Sequence, residues 1–330
     1  MRRCIVSAVL LALSASAAHA QALTLTEPFA PEPGTELAAF YDANAEAVKA
    51  LNEKVRVGET EDRLRALEEL QLAYPDAALS AALELTLDED KAVAKAAAQL
   101  LAESIVMTDH IMIGTMPAGG EEIMARNEAA RNALRRVLSD PDEGVRRVSS
   151  GILASLSDET ALKAISESAE NGLISEVEAI NYFGLARPEV GAAFIAPYLD
   201  GSSEAQQSAV SYLGALPDYQ AKIRKEVLLN GEVEEGVRVV AADVLSQYDP
   251  DFGSYALALT SNPSIPPSLY TTVMSAYTAQ AAINRALTPG EIEAISTSVE
   301  EFAKRHEFAT EYAAQIQAIQ ELISTVQSVD

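Results

Sequence analysis

The segment from residue 105 to residue 124 holds the side chains best suited to metal chemistry. It contains one histidine, His110, together with Met107, Met112 and Met116. Thioether sulfur and imidazole are ligands that Cu(I) accepts well, and a cysteine-free set of this kind suits an oxidising compartment. One interpretation of the segment is therefore a Cu(I) site built from these four side chains.

The same segment permits two other interpretations. Methionines can fill irregular gaps in a helical core, so these side chains could extend the preceding helix into the interior. Alternatively, the glycine-rich stretch 114–120 could fold over a binding face, since extra loop length in repeat proteins is often functional. One histidine with scattered methionines has no fixed ligand spacing. The partner-shaping loop is the preferred interpretation, and the other two stay open.

Catalytic chemistry has few candidates in this chain. Without residues 1–20 the chain keeps only His110 and His306, and no cysteine. No Gly-x-Ser-x-Gly elbow is present, and His306 follows two basic residues at a predicted helix end, where its charge would favour the helix dipole. Phosphate loops, zinc pairs and dinucleotide motifs do not occur either. We therefore expect no enzyme activity and no cofactor.

An internal repeat predicts the elements that position these residues. Residues 139–156 contain a Glu-Gly-Val-Arg core, and residues 234–245 repeat that core with the same apolar spacing. The two glycines, Gly144 and Gly236, lie 92 residues apart, or three periods of about 31, which indicates stacked helix pairs. An earlier Leu64-Arg65 pair resembles the Val-Arg of the core.

Each copy of the core predicts the start of an amphipathic helix. Asp140 can cap free backbone N–H groups, and Pro141 fits the first helical position. Apolar residues then recur at helical spacing and end on Tyr248 in the second copy, which predicts one buried stripe per helix. A first helix is likewise predicted over residues 36–55.

Residues 134–146, Leu-Arg-Arg-Val-Leu-Ser-Asp-Pro-Asp-Glu-Gly-Val-Arg, resemble the HEAT-repeat family, including its bilin-lyase-like branch. The resemblance implies an α-solenoid whose second helices line a concave face. It also implies that a carboxylate in the turn and an arginine in the helix bond between adjacent repeats. Asp142 with Arg146, and Glu234 with Arg238, match these two positions. We expect an all-α, HEAT-like superhelix of about seven helix pairs with a C-terminal helical cap.

The predicted organisation has four parts. Residues 1–20 combine a basic start, a short apolar run and an Ala-His-Ala cleavage site, as in secretory signal peptides. Residues 21–34 form a proline-rich tether. Residues 35–287 form the solenoid, in which the segment 105–124 is an insertion between repeats, and residues 288–330 form the capping helices. We expect cleavage after Ala20 and residence in the Gram-negative periplasm. No later stretch is apolar enough to be a transmembrane segment.

Charge and aromatic residues suggest the kind of partner. The formal net charge is −25, and it becomes −27 when the two arginines of residues 1–20 leave. Nucleic acid is implausible at that charge, whereas a basic protein surface or peptide is favourable. Tyr182 and Tyr212 lie 30 residues apart, at equivalent repeat positions, and can anchor a peptide. Glu232, Glu234 and Glu235 would supply negative charge.

These features favour an exported, non-enzymatic protein-binding scaffold or assembly adaptor that uses an acidic concave face. A periplasmic Cu(I)-binding protein that uses the segment 105–124 is the alternative. Two further classes stay open. An enzyme of the bilin-lyase type is implied by the resemblance alone, and a structural spacer of the cell envelope needs no binding site.

Overall fold

The computed structural model describes residues 29–111, 120–284, 288–305 and 310–327. Within these ranges the chain forms α-helices joined by short turns, and no strand is present. The helices are α1 (Glu36–Ala43), α2 (Ala45–Arg56), α3 (Thr60–Ala73), α4 (Pro75–Leu85), α5 (Lys91–Ile111), α6 (Gly120–Arg135), α7 (Glu143–Ser155), α8 (Glu159–Glu170), α9 (Glu176–Phe183), α10 (Pro188–Ile195), α11 (Ser203–Leu213), α12 (Pro217–Ile223), α13 (Glu235–Tyr248), α14 (Phe252–Thr260), α15 (Pro267–Asn284), α16 (Pro289–Arg305) and α17 (Thr310–Gln327). A 3-10 helix, Ala196–Asp200, follows α10, and a π-helical turn, Arg224–Leu228, follows α12.

The predicted all-α solenoid is confirmed. From α2 to α15 the helices form seven consecutive pairs, and α16 and α17 follow them. Proline occupies the first position of α4, α10, α12, α15 and α16, where its missing N–H removes no intrahelical hydrogen bond. In the part of the chain that the structure describes, no helix combines the length and apolar character that crossing a membrane requires.

The chain divides into two compact units. Among the described residues, the N-terminal unit comprises those up to residue 153 and residues 158–164, and the C-terminal unit comprises residues 154–157 and those from residue 165 onward. In the C-terminal unit the second helices of successive pairs, α9, α11, α13 and α15, pack side by side. The first helices α10, α12 and α14 each contact the second helix of their own pair. One layer of second helices therefore positions the candidate site.

A buried arginine at the fourth residue of three second helices binds a backbone carbonyl of the preceding helix end or of the turn that follows it. Arg63 Nε donates to the carbonyl of Val55 at 2.9 Å, and Arg238 Nε donates to that of Leu228 at 3.0 Å. Arg146 Nη1 donates to the carbonyl of Asp140 at 2.8 Å. Each guanidinium thus binds a carbonyl at or beyond the end of a helix, where intrahelical donors run out. Burial lowers the pKa of Arg238, although Glu235 acts to raise it.

The carboxylates implied to pair with these arginines have other partners. Asp142 Oδ1 accepts from the backbone N–H of Val145 at 3.0 Å and so caps α7. Glu234 accepts a hydrogen bond from the hydroxyl of Ser203 on the neighbouring second helix. Asp142 and Arg146 therefore bond within their own helix pair, and Glu234 bonds between pairs through a serine.

Other contacts join neighbouring helix pairs inside the N-terminal unit. Lys91 Nζ lies 2.9 Å from Asp140 Oδ2, and Arg135 Nε donates to Asp158 Oδ2 at 3.1 Å. Burial alone would raise the pKa of both carboxyls, but these hydrogen bonds and nearby backbone N–H groups hold both pKa values below the ordinary one. Carboxylates at the starts of helices are thus bonded to the preceding pair.

Phe29 anchors the start of the described chain in the N-terminal unit. Its side chain is 1% exposed, and the guanidinium of Arg126 lies 5.7 Å from the ring centroid. Arg126 also binds Asp76 at 3.0 Å and Glu122 at 2.7 Å, so two carboxylates hold the cation over the ring. Burial raises the pKa of Asp76, although Arg126 acts to lower it. The proline-rich segment therefore enters the fold at Phe29.

Candidate protein-binding site

Tyr182 and Tyr212 occupy equivalent positions near the ends of the adjacent helices α9 and α11. Each tyrosine is followed two residues later by a glycine that ends its helix, Gly184 or Gly214. The helices run parallel, because Ser203 at the start of α11 contacts Glu234 before α13, and Gly214 after α11 meets Val244 near the end of α13. The ends of the second helices therefore lie along one edge of the layer.

The ring of Tyr212 rests on the backbone of Gly184. A Cβ atom added to Gly184 would lie 2.3 Å from Cε1 of Tyr212, so any larger residue would displace the ring. Nevertheless Tyr212 is 40% exposed. A ring that is already held in place loses little conformational entropy when a partner covers it, so Tyr212 is suited to anchor a bound protein.

Tyr182 is less available than Tyr212. Its side chain is half-buried, and its hydroxyl donates to Glu178 Oε1 at 3.1 Å. Tyr248, predicted to lie in the buried stripe of α13, is instead 53% exposed because it lies in the last turn of that helix. The exposed tyrosines at this edge are therefore Tyr212 and Tyr248.

The predicted acidic residues lie away from these tyrosines. Glu232, Glu234 and Glu235 are exposed at the start of α13. Glu234 accepts from Ser203, and Tyr212 lies nine residues further along α11, which is about 14 Å at 1.5 Å per residue. Glu235 also accepts from the hydroxyl of Ser268. The structure therefore separates the predicted carboxylates from the predicted aromatic anchor.

Two other carboxylates lie on α9 and α13, the helices on either side of the helix that carries Tyr212. Glu178 bonds Tyr182 on α9, the helix whose terminal Gly184 supports the Tyr212 ring. Asp243 is exposed on α13, next to Val244, the residue that meets Gly214. Sequence reasoning missed both carboxylates. The glycine that recurs two residues after each tyrosine was a usable signal, because it indicates that the two helices end at equivalent positions. An exposed aromatic ring between two acidic helices is suited to bind a cationic protein segment.

The candidate metal ligands are only partly described. Met107, near the end of α5, is 71% exposed, and Met124 on α6 is also exposed. The side chain of His110, and residues Met112 and Met116, lie outside the described residues, as does His306. Among the residues with described side chains, no group of three or more His, Cys, Asp or Glu is placed to hold a metal.

The described parts of the predicted insertion 105–124 are helical, and residues 112–119, which hold most of its glycine-rich stretch, lie outside the described residues. α5 continues to Ile111 and α6 begins at Gly120. Thr108 Oγ1 donates to Asn127 Oδ1 at 2.7 Å and joins the two helices. Met107 and Met124 therefore project from regular helices, and neither of them fills a gap in the core.

Comparisons with known proteins give likenesses to solved structures only. No protein-family model matches the chain, and a search of curated proteins gives no match. Among solved structures, the chain is similar to the complex of CpcE and CpcF of phycocyanin lyase from Nostoc sp. PCC7120, with 16% identity and a TM-score of 0.35. The alignment covers 84% of this chain and 99% of the other.

This comparison corrects the expectation that the chain is not an enzyme. The matched structure is that of a lyase, so the claim of a non-enzyme has no support. The identity and the TM-score are too low to transfer an activity. The missing catalytic motifs do not exclude enzymatic function.

Proposed function

We propose that this protein binds a cationic protein partner on the second-helix layer of its C-terminal unit. The observation that carries the proposal is Tyr212, a large ring held against Gly184 and still 40% exposed. Tyrosines in such settings supply contact area at a low entropic cost. The exposed side chains of Leu185 and Tyr248, at the ends of neighbouring second helices, extend the apolar surface beside it.

The negative charge around Tyr212 favours a partner of positive charge. Residues 171–218 contain six carboxylates and a single cation, Arg187, within a chain of net charge −25. Such a field attracts a basic surface and speeds its encounter, while it repels nucleic acid and anionic lipid. The partner that suits this surface is therefore a basic protein or a lysine- or arginine-rich peptide.

The family of this protein and its cellular localisation are also proposals. The Glu-Gly-Val-Arg repeat and the seven helix pairs support membership of the HEAT-repeat family. The pattern of residues 1–20, which lie outside the described ranges, supports a cleaved signal peptide and a periplasmic protein. A scaffold or assembly adaptor is the role that this combination favours.

Reversing the charge of Asp243 is expected to weaken binding. Asp243→Lys should raise the Kd of a fluorescein-labelled lysine-rich peptide about fivefold at low salt, because about 1 kcal/mol of attraction is lost on α13, the helix next to the one that carries Tyr212. Glu232→Lys, at the far end of the layer, should have a smaller effect. Fluorescence anisotropy with the mature protein measures both.

Glu68→Lys is the matched control, since Glu68 is an exposed carboxylate of α3 in the N-terminal unit. It changes the net charge equally and should leave the Kd within about twofold. Equal effects of Glu68→Lys and Asp243→Lys would mean that only net charge matters, and the proposed site would be wrong.

Cu(I) binding is a second candidate function, favoured by the exposure of Met107 and Met124. Exposed thioethers are available to a soft metal, whereas thioethers buried in a core are not. In a competition titration, Met112→Leu, Met116→Leu and His110→Ala should each abolish Cu(I) binding, and Met107→Leu should lower the affinity. If all four variants keep the affinity and stoichiometry of the wild type, this candidate is removed.

A further inference from the structure

A small apolar cavity opens beside Tyr212, where α10 packs against α9 and α11. Its volume is about 110 Å³. Buried side chains of Phe183, Ala192, Ile195 and Leu213 line it, and the exposed residues Pro188 and Tyr212 lie at its mouth. Apart from the Tyr212 hydroxyl, the lining side chains carry no polar atom. The cavity therefore offers an apolar group a place that is continuous with the proposed binding surface.

Glycine and alanine on α10 keep this cavity open. A Cβ atom added to Gly191 would lie 2.2 Å from the carbonyl oxygen of Phe183, so α10 approaches α9 this closely only with glycine at that position. The next residue, Ala192, contributes only a methyl group to the cavity. Protein interiors rarely leave voids larger than a water molecule, and an unfilled apolar void lowers stability. An apolar group that entered the cavity would recover that cost.

We propose that the cavity binds one branched aliphatic side chain, of leucine, isoleucine or valine, from a lysine-rich protein segment. This inference rests on the proposed function and names the residue that anchors the partner. An apolar cavity of about 150 Å³ accommodates benzene, so 110 Å³ suits an aliphatic side chain better than an aromatic one. The side chains that line the cavity include no carboxylate to pair with a lysine head group, so the head group stays outside in solvent.

Charge selects a cationic segment over a second copy of this chain. Arg187, the one cation of residues 171–218, adjoins Pro188 at the cavity and lies 3.7 Å from Glu189, which offsets its charge. Two copies of a chain with net charge −25 repel each other. A lysine-rich segment supplies the opposite charge and the apolar residue together.

The test uses the mature protein and three labelled lysine-rich peptides that differ only in a central leucine, alanine or phenylalanine. Wild-type protein should bind the leucine peptide at least about tenfold more tightly than the alanine peptide, because three more carbons are buried. The phenylalanine peptide should not exceed the leucine peptide. Ala192→Leu fills the cavity and should abolish the leucine preference while keeping the affinity for the alanine peptide.

Tyr212→Ala and Tyr248→Ala form a second, matched pair in case Ala192→Leu does not fold. Tyr212 walls the cavity and Tyr248 does not, so only Tyr212→Ala should lose the leucine preference. Salt-dependent binding of all three peptides without a leucine preference would overturn this inference and leave the proposed function standing. No binding of any of the peptides would overturn both.

Discussion

Replacing Phe29 with alanine should lower the free energy of unfolding by about 3–4 kcal/mol, a range typical of a fully buried phenylalanine. The ring is 1% exposed although it lies seven residues before the first helix. Its loss leaves a cavity and removes the surface over which Arg126 is held, at 5.7 Å from the ring centroid. The reduction should appear in the N-terminal unit, where Asp76 and Glu122 also bind Arg126.

Urea unfolding of the mature protein measures this effect. Backbone hydrogen exchange in α4 and α6 should also become faster in the variant. This second measurement is needed because two compact units need not unfold as one. Phe40→Ala is the control, since Phe40 is exposed and should cost only about 1 kcal/mol through its contacts with Tyr41 and Tyr74. If the Phe29 variant is no less stable than the Phe40 variant, Phe29 does not anchor the segment.

Replacing Arg63 with methionine should cost about 3 kcal/mol, because it breaks a largely buried ion pair. Arg63 Nη1 donates to Asp88 Oδ1 at 3.1 Å, and Nε donates to the carbonyl of Val55 at 2.9 Å. Methionine keeps most of the apolar volume of the arginine side chain. The loss of stability therefore comes mainly from the carboxylate and the carbonyl that are left without this donor. Thermal and urea unfolding measure it.

The neighbouring Arg65→Met is the control for Arg63→Met. Arg65 is exposed and pairs with Glu61 at 3.3 Å and Asp62 at 3.7 Å, so its loss should cost less than about 0.5 kcal/mol. Equal costs for the two variants would contradict the assignment of Arg63 as the equivalent of Arg146 and Arg238.

The arginines show how far the sequence predicts this fold. The Glu-Gly-Val-Arg copies and the boundary prolines predicted stacked helix pairs, which the structure confirms. The Leu64-Arg65 pair suggested the wrong register, because the equivalent arginine is set by its distance from the helix start. Thr60 starts α3, so the fourth residue is Arg63. The apolar pattern alone could not choose between two arginines that lie two residues apart.

Helix boundaries were predicted less well where side chains bond to the backbone. The helix predicted over residues 36–55 is broken at Asn44, whose side-chain Nδ2 donates to the carbonyl of Phe40 at 2.7 Å. α7 begins at Glu143 and not at Pro141, because Asp140 Oδ1 accepts from the N–H of Asp142 and holds a turn before the helix. Side-chain hydrogen bonds to the backbone compete with helical hydrogen bonds at these positions, but they leave the spacing of apolar residues unchanged. The apolar pattern therefore does not reveal them.

The candidate site was predicted only in part. Tyr212 was identified from its 30-residue spacing, but the sequence could not show that Gly184 supports its ring. The carboxylates of residues 232–235 were chosen for their density, whereas helix packing places α9 with Glu178 and α13 with Asp243 on either side of α11, which carries Tyr212. The cavity depends on Gly191, whose close approach to Phe183 is a tertiary feature. Spacing along the chain thus predicts equivalence between repeats better than it predicts proximity.

Hydrogen–deuterium exchange of the mature protein, with and without a saturating lysine-rich peptide, tests the central claim most directly. Binding at Tyr212 should slow exchange in the last turns of α9 and α11 and in the second half of α13, and should leave the N-terminal unit unchanged. Slower exchange confined to the N-terminal unit, or no change at all under saturation, would contradict the claim that this protein binds a cationic partner on its second-helix layer.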